Sequence, residues 1–97
     1  MKSIIQPERN RCYICGRNAH ADYFGLDEHH VFFGQYKNTA ERYGLKVYLC
    51  HDRCHLNGVH KSAKLNKALQ AKVQRIAMKF YGWDMDIWMA IFGRNFL

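Results

Sequence analysis

Four cysteines in two close pairs constrain this chain more than any other feature of its sequence. Cys12 and Cys15 are spaced C-x-x-C, Cys50 and Cys54 are spaced C-x-x-x-C, and 34 residues lie between the pairs. Two such pairs can bring four thiolates around one tetrahedral Zn²⁺. A redox pair is the weaker interpretation, because a redox C-x-x-C motif normally opens a helix in a longer βαβ fold. We therefore predict a structural zinc site.

Length and composition limit what surrounds that site. A chain of 97 residues, 48% hydrophobic and 24% charged, is typical of one small globular domain, which we expect to span residues 1–97. We find neither a run of roughly 20 apolar residues nor an apolar signal core after the start MKSIIQPERN. We therefore expect a cytoplasmic protein without a membrane segment, in which reduced thiols favour a metal site over disulfides.

Periodicity and capping signals predict an α+β fold. A zinc knuckle at 12–16, a strand at 28–33 and a second strand at 45–49 are expected to belong to one core, over residues 12–66. Between the strands, Asn38 and Glu41 have the spacing of a capping box for a short helix that stops at Gly44. Residues 62–97 are expected to form two C-terminal helices.

The longer of these helices has the clearest pattern. Its apolar residues recur at steps of three and four and are predicted to face the core: Leu65, Leu69, Val73, Ile76 and Phe80. Ser62 is the expected N-cap and Gly82 the residue that ends the helix. A short last helix should begin at Asp84 and fold back through Ile87, Trp88, Ile91 and Phe92 to enlarge the core. If it were exposed instead, it would be a surface for a protein partner.

The positive charge is concentrated in one part of the chain, which we call the basic segment (residues 53–83). This segment contains no Asp or Glu and accounts for the whole net charge of +7. Its basic residues are Arg53, Lys61, Lys64, Lys67, Lys72, Arg75 and Lys79. A lysine-rich helix face is often only solvated, but such faces usually mix both signs of charge. The segment therefore favours a polyanionic partner.

Histidines are grouped as well as abundant. Five of the six fall into two groups, which are His29 with His30 and His51 with His55 and His60. His51 or His55 could replace a cysteine as the fourth zinc ligand. Adjacent residues of a regular strand point to opposite faces, so His29 and His30 would share one centre only at a bulge or loop start. We expect the isolated His20 to be an ordinary surface or core residue.

Taken in order, C-x-x-C, Glu-His-His-Val-Phe-Phe-Gly and Tyr-Leu-Cys-x-x-x-Cys-His resemble the HNH endonuclease family over about residues 12–66. Gly-Val-His and the ending Phe-Gly-Arg-Asn-Phe-Leu resemble small phage and prophage members. The resemblance implies a treble-clef-like ββα-metal module, braced by zinc on four cysteines, with a long basic helix and a short terminal helix. It also implies a nuclease encoded by a phage or prophage and acting in the bacterial host cell, with other phage DNA-processing proteins as further partners.

The resemblance implies a role for each histidine of the motif. His29 matches the first ligand of a catalytic divalent cation (Mg²⁺, Mn²⁺ or another transition metal), and His30 matches the general base. His55 matches the second ligand, and His60 would complete the site. The cation would polarise the scissile phosphate while His30 takes a proton from the attacking water. The phosphates of DNA would bind Arg53, Lys61, Lys64, Lys67, Lys72 and Arg75.

The sequence departs from the family pattern at the middle Asn, where residues 43–46 read Tyr-Gly-Leu-Lys. Asn38 and Asn57 are the nearby substitutes, and neither matches in position. The departure keeps two other interpretations open. One is a zinc-stabilised DNA-binding or adaptor protein with a degenerate HNH site. The other is a treble-clef-like module that binds a protein through the helix with Trp88 and Phe92.

Overall fold

A computed structural model describes residues 1–19 and 25–97, and His20 lies outside the described residues. The described part is an α+β structure, as the sequence predicts. Its elements are β1 (Leu26–His30), α1 (Lys37–Tyr43), β2 (Lys46–Cys50), a π-helical stretch that we call the π segment (His51–Val59), α2 (Ala63–Tyr81) and α3 (Met85–Phe92). None of the helices in the described residues is both long and apolar enough to cross a membrane.

The two strands form an antiparallel pair in which His29 lies opposite Val47 and His30 opposite Lys46. Every residue of β2 is buried. The N-terminal segment covers the strand, since Tyr13 N–H donates to the Tyr48 carbonyl over 2.8 Å and the Gln6 side chain accepts from Tyr48 N–H over 2.9 Å. This cover protects β2 from pairing with another chain.

The first predicted strand is wrong at both ends, because β1 begins two residues earlier and ends at His30. After His30 the chain turns inward, and Val31 and Phe32 are fully buried. Phe32 contacts the rings of Trp88 and Phe92 at centroid distances of 5.5 and 5.2 Å. Burial of this aromatic group against α3 outweighs continuation of the strand. The second strand is displaced from its prediction by one residue.

The capping box predicted for α1 does not form. The helix begins one residue before Asn38, its N-cap Tyr36 makes no side-chain capping bond, and Glu41 bonds to other groups described below. The predicted end is confirmed, since Gly44 adopts φ +70°. A side chain at Gly44 would also collide with the Lys2 backbone carbonyl, so glycine is required there for two reasons.

The caps predicted for α2 are confirmed, with Ser62 accepting from Leu65 N–H over 3.1 Å and Gly82 left-handed at φ +70°. The predicted core face is rotated, however. Leu69 and Val73 are buried, but Phe80 in the last turn is 61% exposed, while the polar Gln74 is fully buried. The rotation follows from the C-terminal segment, whose Asn95 and Phe96 bond to the Gln74 amide over 3.0 and 2.7 Å.

The last helix folds back onto the core as predicted. Asp84 caps α3 by accepting from Ile87 N–H over 2.9 Å. Trp88 and Phe92 are buried and stack on each other with ring centroids 4.1 Å apart. Ile87 is 41% exposed and so contributes less to the core than the sequence predicts. The aromatic core therefore forms between α3 and the residues that follow β1.

Candidate functional site

The structure brings together the four cysteines that are predicted to bind zinc. The four cysteines Cys12, Cys15, Cys50 and Cys54, which we call the thiol cluster, present sulfurs that all lie within 4.8 Å of one another. Cys15 Sγ and Cys50 Sγ are 3.8 Å apart. Two sulfurs bound to one zinc at about 2.3 Å and at the tetrahedral angle would be about 3.8 Å apart. The four cysteines carry no disulfide, and together they fit a closed zinc site.

The surroundings of the thiols also suit a cation. Burial acts to raise the pKa of Cys12, but backbone hydrogen bonds from Cys15, Cys50 and Ile14 outweigh it and lower that pKa to about 7. Burial and the neighbouring thiols raise the pKa of Cys54 above its ordinary value. Several thiolates cannot share this space without a positive charge between them, and a bound Zn²⁺ would supply that charge.

A second group of possible ligands lies beside the first. His29, His55 and His60, which we call the histidine cluster, each offer a ring nitrogen, and these nitrogens lie within 4.8 Å of one another. The Nε2 atoms of His55 and His60 are 3.0 Å apart. Two nitrogens bound tetrahedrally to one metal at about 2.05 Å would be about 3.3 Å apart. The structure thus brings together the three residues predicted to bind a catalytic cation.

The helical form of the π segment explains why His55 and His60 meet. Residues five apart on an α-helix point about 140° away from each other. Here His60 N–H donates to the His55 carbonyl over 3.2 Å, which is the five-residue bond of a π-helix. The wider turn places both rings on one side. The sequence does not predict this element, because a π-helical stretch has no periodic signal of its own.

A carboxylate supports the histidine cluster from behind. Asp27 Oδ2 lies 2.8 Å from His55 Nδ1 and 2.6 Å from His51 Nδ1. Burial acts to raise the pKa of Asp27, but the hydrogen bonds with both histidines outweigh it and lower the pKa. An ionised Asp27 holds the proton of His55 on Nδ1 and leaves Nε2 as the ligand atom. Hence neither His51 nor His55 is directed at the thiol cluster as a replacement ligand.

His29 is the buried member of the cluster. Its Nε2 has no hydrogen-bond partner among the described residues, which is uncommon for a buried polar atom. Burial and the nearby His55 and His60 lower the pKa of His29 to about 4. A neutral imidazole with an unpartnered nitrogen is what a metal ligand requires. His60 is exposed, so the centre is closed at His29 and open to solvent at His60.

Three protein ligands and an open side are typical of catalytic metal sites, whereas four cysteines in a closed shell are typical of structural ones. The two clusters therefore differ in ligand type and in the number of ligands that they offer. They also share one element, since Cys54 and His55 are consecutive residues of the π segment.

His30, the predicted general base, lies on the other face of β1. Its Nε2 is 2.7 Å from Glu41 Oε2, and Lys46 Nζ is 3.0 Å from the same oxygen. These contacts and the N-terminal ammonium lower the pKa of Glu41 to about 2. Because β1 is regular at this point, His29 and His30 point apart, as the strand geometry requires. The described structure does not bring the His30 ring into the histidine cluster.

Neither asparagine considered as a substitute for the family's middle Asn joins the histidine cluster. Asn38 is exposed in the first turn of α1, and the Asn57 amide donates to Asp52 Oδ1 within the π segment over 2.7 Å. The Gln70 side-chain amide contacts the residue that follows β1, since its Nε2 donates to the Val31 carbonyl over 3.3 Å. No motif or spacing in the sequence singles out Gln70.

Every basic residue predicted to bind DNA is exposed: Arg53, Lys61, Lys64, Lys67, Lys72 and Arg75. Arg53 and Lys61 flank the histidine cluster along the chain. The Lys72 ammonium lies 4.9 Å from the centre of the Tyr13 ring, so this lysine also ties α2 to the zinc knuckle. The basic segment thus presents its charge to solvent in the π segment and along α2.

Asp27 and Glu41 are the functional candidates that sequence reasoning missed. The alternation of side chains along a strand indicates Asp27, since it lies two residues before His29 and therefore on the same strand face. Glu41 was assigned to a cap, and its contact with His30 depends on how α1 packs on the sheet.

We find no match to this chain among protein-family models, curated proteins or solved structures. The functional conclusion therefore depends on the residues and their geometry.

Proposed function

We propose that this chain is a metal-dependent DNA endonuclease of the HNH type. The observation that carries the proposal is the histidine cluster, in which three ring nitrogens converge beside the thiol cluster and open toward solvent at His60. Asp27 holds His55 in the tautomer that a cation needs. Neutral imidazoles suit Mn²⁺, Zn²⁺ or another transition metal, and Mg²⁺ would add water ligands.

The charge of the chain supports a nucleic-acid substrate. All of the net positive charge lies in the basic segment, and this segment lacks carboxylates that would repel phosphates. A cation bound at the histidine cluster would polarise the scissile phosphate and stabilise the leaving oxygen. Arg53 and Lys61 would hold the adjoining phosphates, and the helix residues Lys64 and Arg75 would bind the duplex further away.

His30 is proposed as the base on the resemblance alone. Its ring is held by Glu41, so a carboxylate orients it as in other acid–base pairs. Because His30 lies outside the histidine cluster, an experiment can distinguish a role as general base from a role as metal ligand. Removal of a base should spare the cation, whereas removal of a ligand should not.

The deciding experiment combines cleavage of supercoiled plasmid with calorimetric titration of Mn²⁺ into zinc-loaded protein. We expect wild type to cut the plasmid when Mn²⁺ or Mg²⁺ is added. His30→Ala should bind Mn²⁺ normally and cut at least about 10²-fold more slowly. His55→Ala should lose both properties and keep its zinc. His51→Ala is the matched control, because His51 also contacts Asp27 but does not belong to the histidine cluster.

A zinc-stabilised DNA-binding protein with a degenerate site is the second candidate. The observation in its favour is the position of His30 on the face of β1 opposite His29, together with the absent middle Asn. DNA binding without cleavage under any divalent cation would establish this alternative. Normal cleavage by His30→Ala would leave the nuclease in place but remove His30 as its base.

A further inference from the structure

A groove runs along α2 on the side of the C-terminal segment. It consists of two adjoining clefts of about 200 and 450 Å³. Both clefts are lined by Lys67, Gln70, Arg94 and Phe96. The smaller cleft lies below the usual range of about 300–1,000 Å³ for sites that bind whole small molecules. Its size suits a single flat ring attached to a longer chain.

The lining of the groove combines aromatic rings with positive charge. Phe33 is 50% exposed at the smaller cleft, where Tyr36 and Phe96 also contribute rings. The Arg94 guanidinium lies 5.0 Å from the centre of the Phe96 ring. No Asp or Glu side chain is found among the described residues that line either cleft. Exposed aromatic rings beside cations are how proteins bind unpaired nucleotides.

The groove lies close to the histidine cluster. Phe33 follows His29 by four residues, so their Cα atoms are at most about 15 Å apart. Gln70, which lines the groove, donates to the Val31 carbonyl over 3.3 Å and ties α2 to this end of β1. A DNA strand that contacts the histidine cluster can therefore continue into the groove within a few nucleotides.

Asn66 provides a polar group at the same wall. Its Oδ1 is buried without a hydrogen-bond partner among the described residues, which is uncommon for a buried polar atom. Turning the amide toward the cleft breaks no hydrogen bond of that oxygen. The N3–H of a thymine in the cleft, or the exocyclic amino group of another base, would then donate to it.

We propose that this groove binds an unpaired stretch of the DNA strand, with a base stacked on Phe33 and phosphates held by Lys67 and Arg94. The proposal rests on the proposed function in one respect, namely that DNA is the substrate. It specifies the substrate class further: DNA in which one strand is single, such as a flap, a junction or a displaced strand.

Binding is measured by fluorescence anisotropy with zinc-loaded protein and no second metal, so that no cleavage is required. The probes are a labelled short oligothymidylate, an abasic strand of the same length and a blunt duplex. Wild type should prefer the oligothymidylate to the abasic strand. Phe33→Ala should weaken oligothymidylate binding by between about 5-fold and 150-fold, erase that preference and leave duplex binding unchanged.

Phe80→Ala is the matched control, because Phe80 is a 61% exposed phenylalanine of α2 that lines neither cleft. It should leave all three affinities unchanged. Lys67→Gln and Arg94→Gln should each lower the log–log salt dependence of oligothymidylate binding by about 0.7. Phe33→Leu retains apolar volume without the ring, so it keeps the fold and should lose the same preference.

The proposal is overturned if wild type binds the abasic strand as tightly as the oligothymidylate, or if Phe33→Ala and Phe80→Ala behave alike. Failure of the proposed function gives a different result. If the protein shows the Phe33-dependent preference but cuts no DNA, the groove proposal stands and the proposed nuclease activity is refuted. Cleavage of a single-stranded flap that is as fast in Phe33→Ala as in wild type would support the nuclease and refute the groove proposal.

Discussion

Asp27→Asn is the substitution that most directly tests the histidine cluster. Asp27 Oδ2 accepts from His55 Nδ1 over 2.8 Å and thereby keeps the His55 Nε2 lone pair available beside His60. Asparagine has nearly the same shape but no charge. The substitution therefore changes the support of a ligand without removing the ligand.

The magnitude follows from that one hydrogen bond. A hydrogen bond to a charged group contributes about 1.5–3 kcal/mol, and a neutral one about 0.5–1.5 kcal/mol. The difference of roughly 1–1.5 kcal/mol corresponds to about a tenfold weaker affinity for the cation. This lies at the low end of the roughly 10- to 100-fold decrease that is usual when such supporting carboxylates are replaced.

The assay is calorimetric titration of Mn²⁺ into zinc-loaded protein at neutral pH. Glu28→Gln is the control, since Glu28 is the next residue of β1 and its carboxylate lies 3.4 Å from Lys46 on the opposite face. We expect Asp27→Asn to bind about tenfold more weakly and Glu28→Gln to bind as wild type does. Equal affinity in Asp27→Asn, or an equal decrease in both variants, would refute the assignment of the cation to this face.

Three further outcomes test the other parts of the structure. Cys15→Ser should fail to fold, as judged by circular dichroism, because the thiol cluster holds the knuckle to β2; a folded, zinc-free variant would contradict this. Lys64→Glu with Arg75→Glu should weaken binding to every DNA sequence alike and lower the log–log salt slope by about 0.9 for each phosphate that is no longer bound; an unchanged slope would mean that this helix face is only solvated. Without the second cation, the low pKa of His29, about 4 against an ordinary 6.5, should make the protein lose stability as the pH falls from 6.5 to 4. His29→Asn should flatten that fall by up to about 3 kcal/mol in urea unfolding, and the same slope in both proteins would show that His29 is not buried as a neutral ring.

The sequence predicted the features that depend on local chemistry. The pairing of Cys12 with Cys15 and of Cys50 with Cys54 requires only short loops and a common metal. The ends of α2 follow from Ser62 and Gly82, whose cap geometry is set by their own backbone. The grouping of His29 with two later histidines came from the resemblance, and the structure brings these rings together.

The features that the sequence did not predict depend on packing between distant segments. Gln74 is buried because the C-terminal segment satisfies both ends of its amide, and no helical period indicates that partner. Glu41 leaves its expected cap because His30 and Lys46 reach it from the sheet. The direction of His30 depends on whether β1 remains regular, which a capping or periodicity argument does not decide.

The length of the π segment decides whether His55 and His60 meet. His55 and His60 meet because the π-helical hydrogen bond joins residues that are five apart in the chain. Exchange of Leu56 or Asn57 for another residue retains that spacing, whereas deletion of either would remove the five-residue spacing and turn His60 away from His55. An insertion just before Cys54 would instead displace Cys54 from the other cysteines and His55 from His29. Substitutions of Leu56 or Asn57 should therefore be tolerated, whereas changes in the length of the π segment should not.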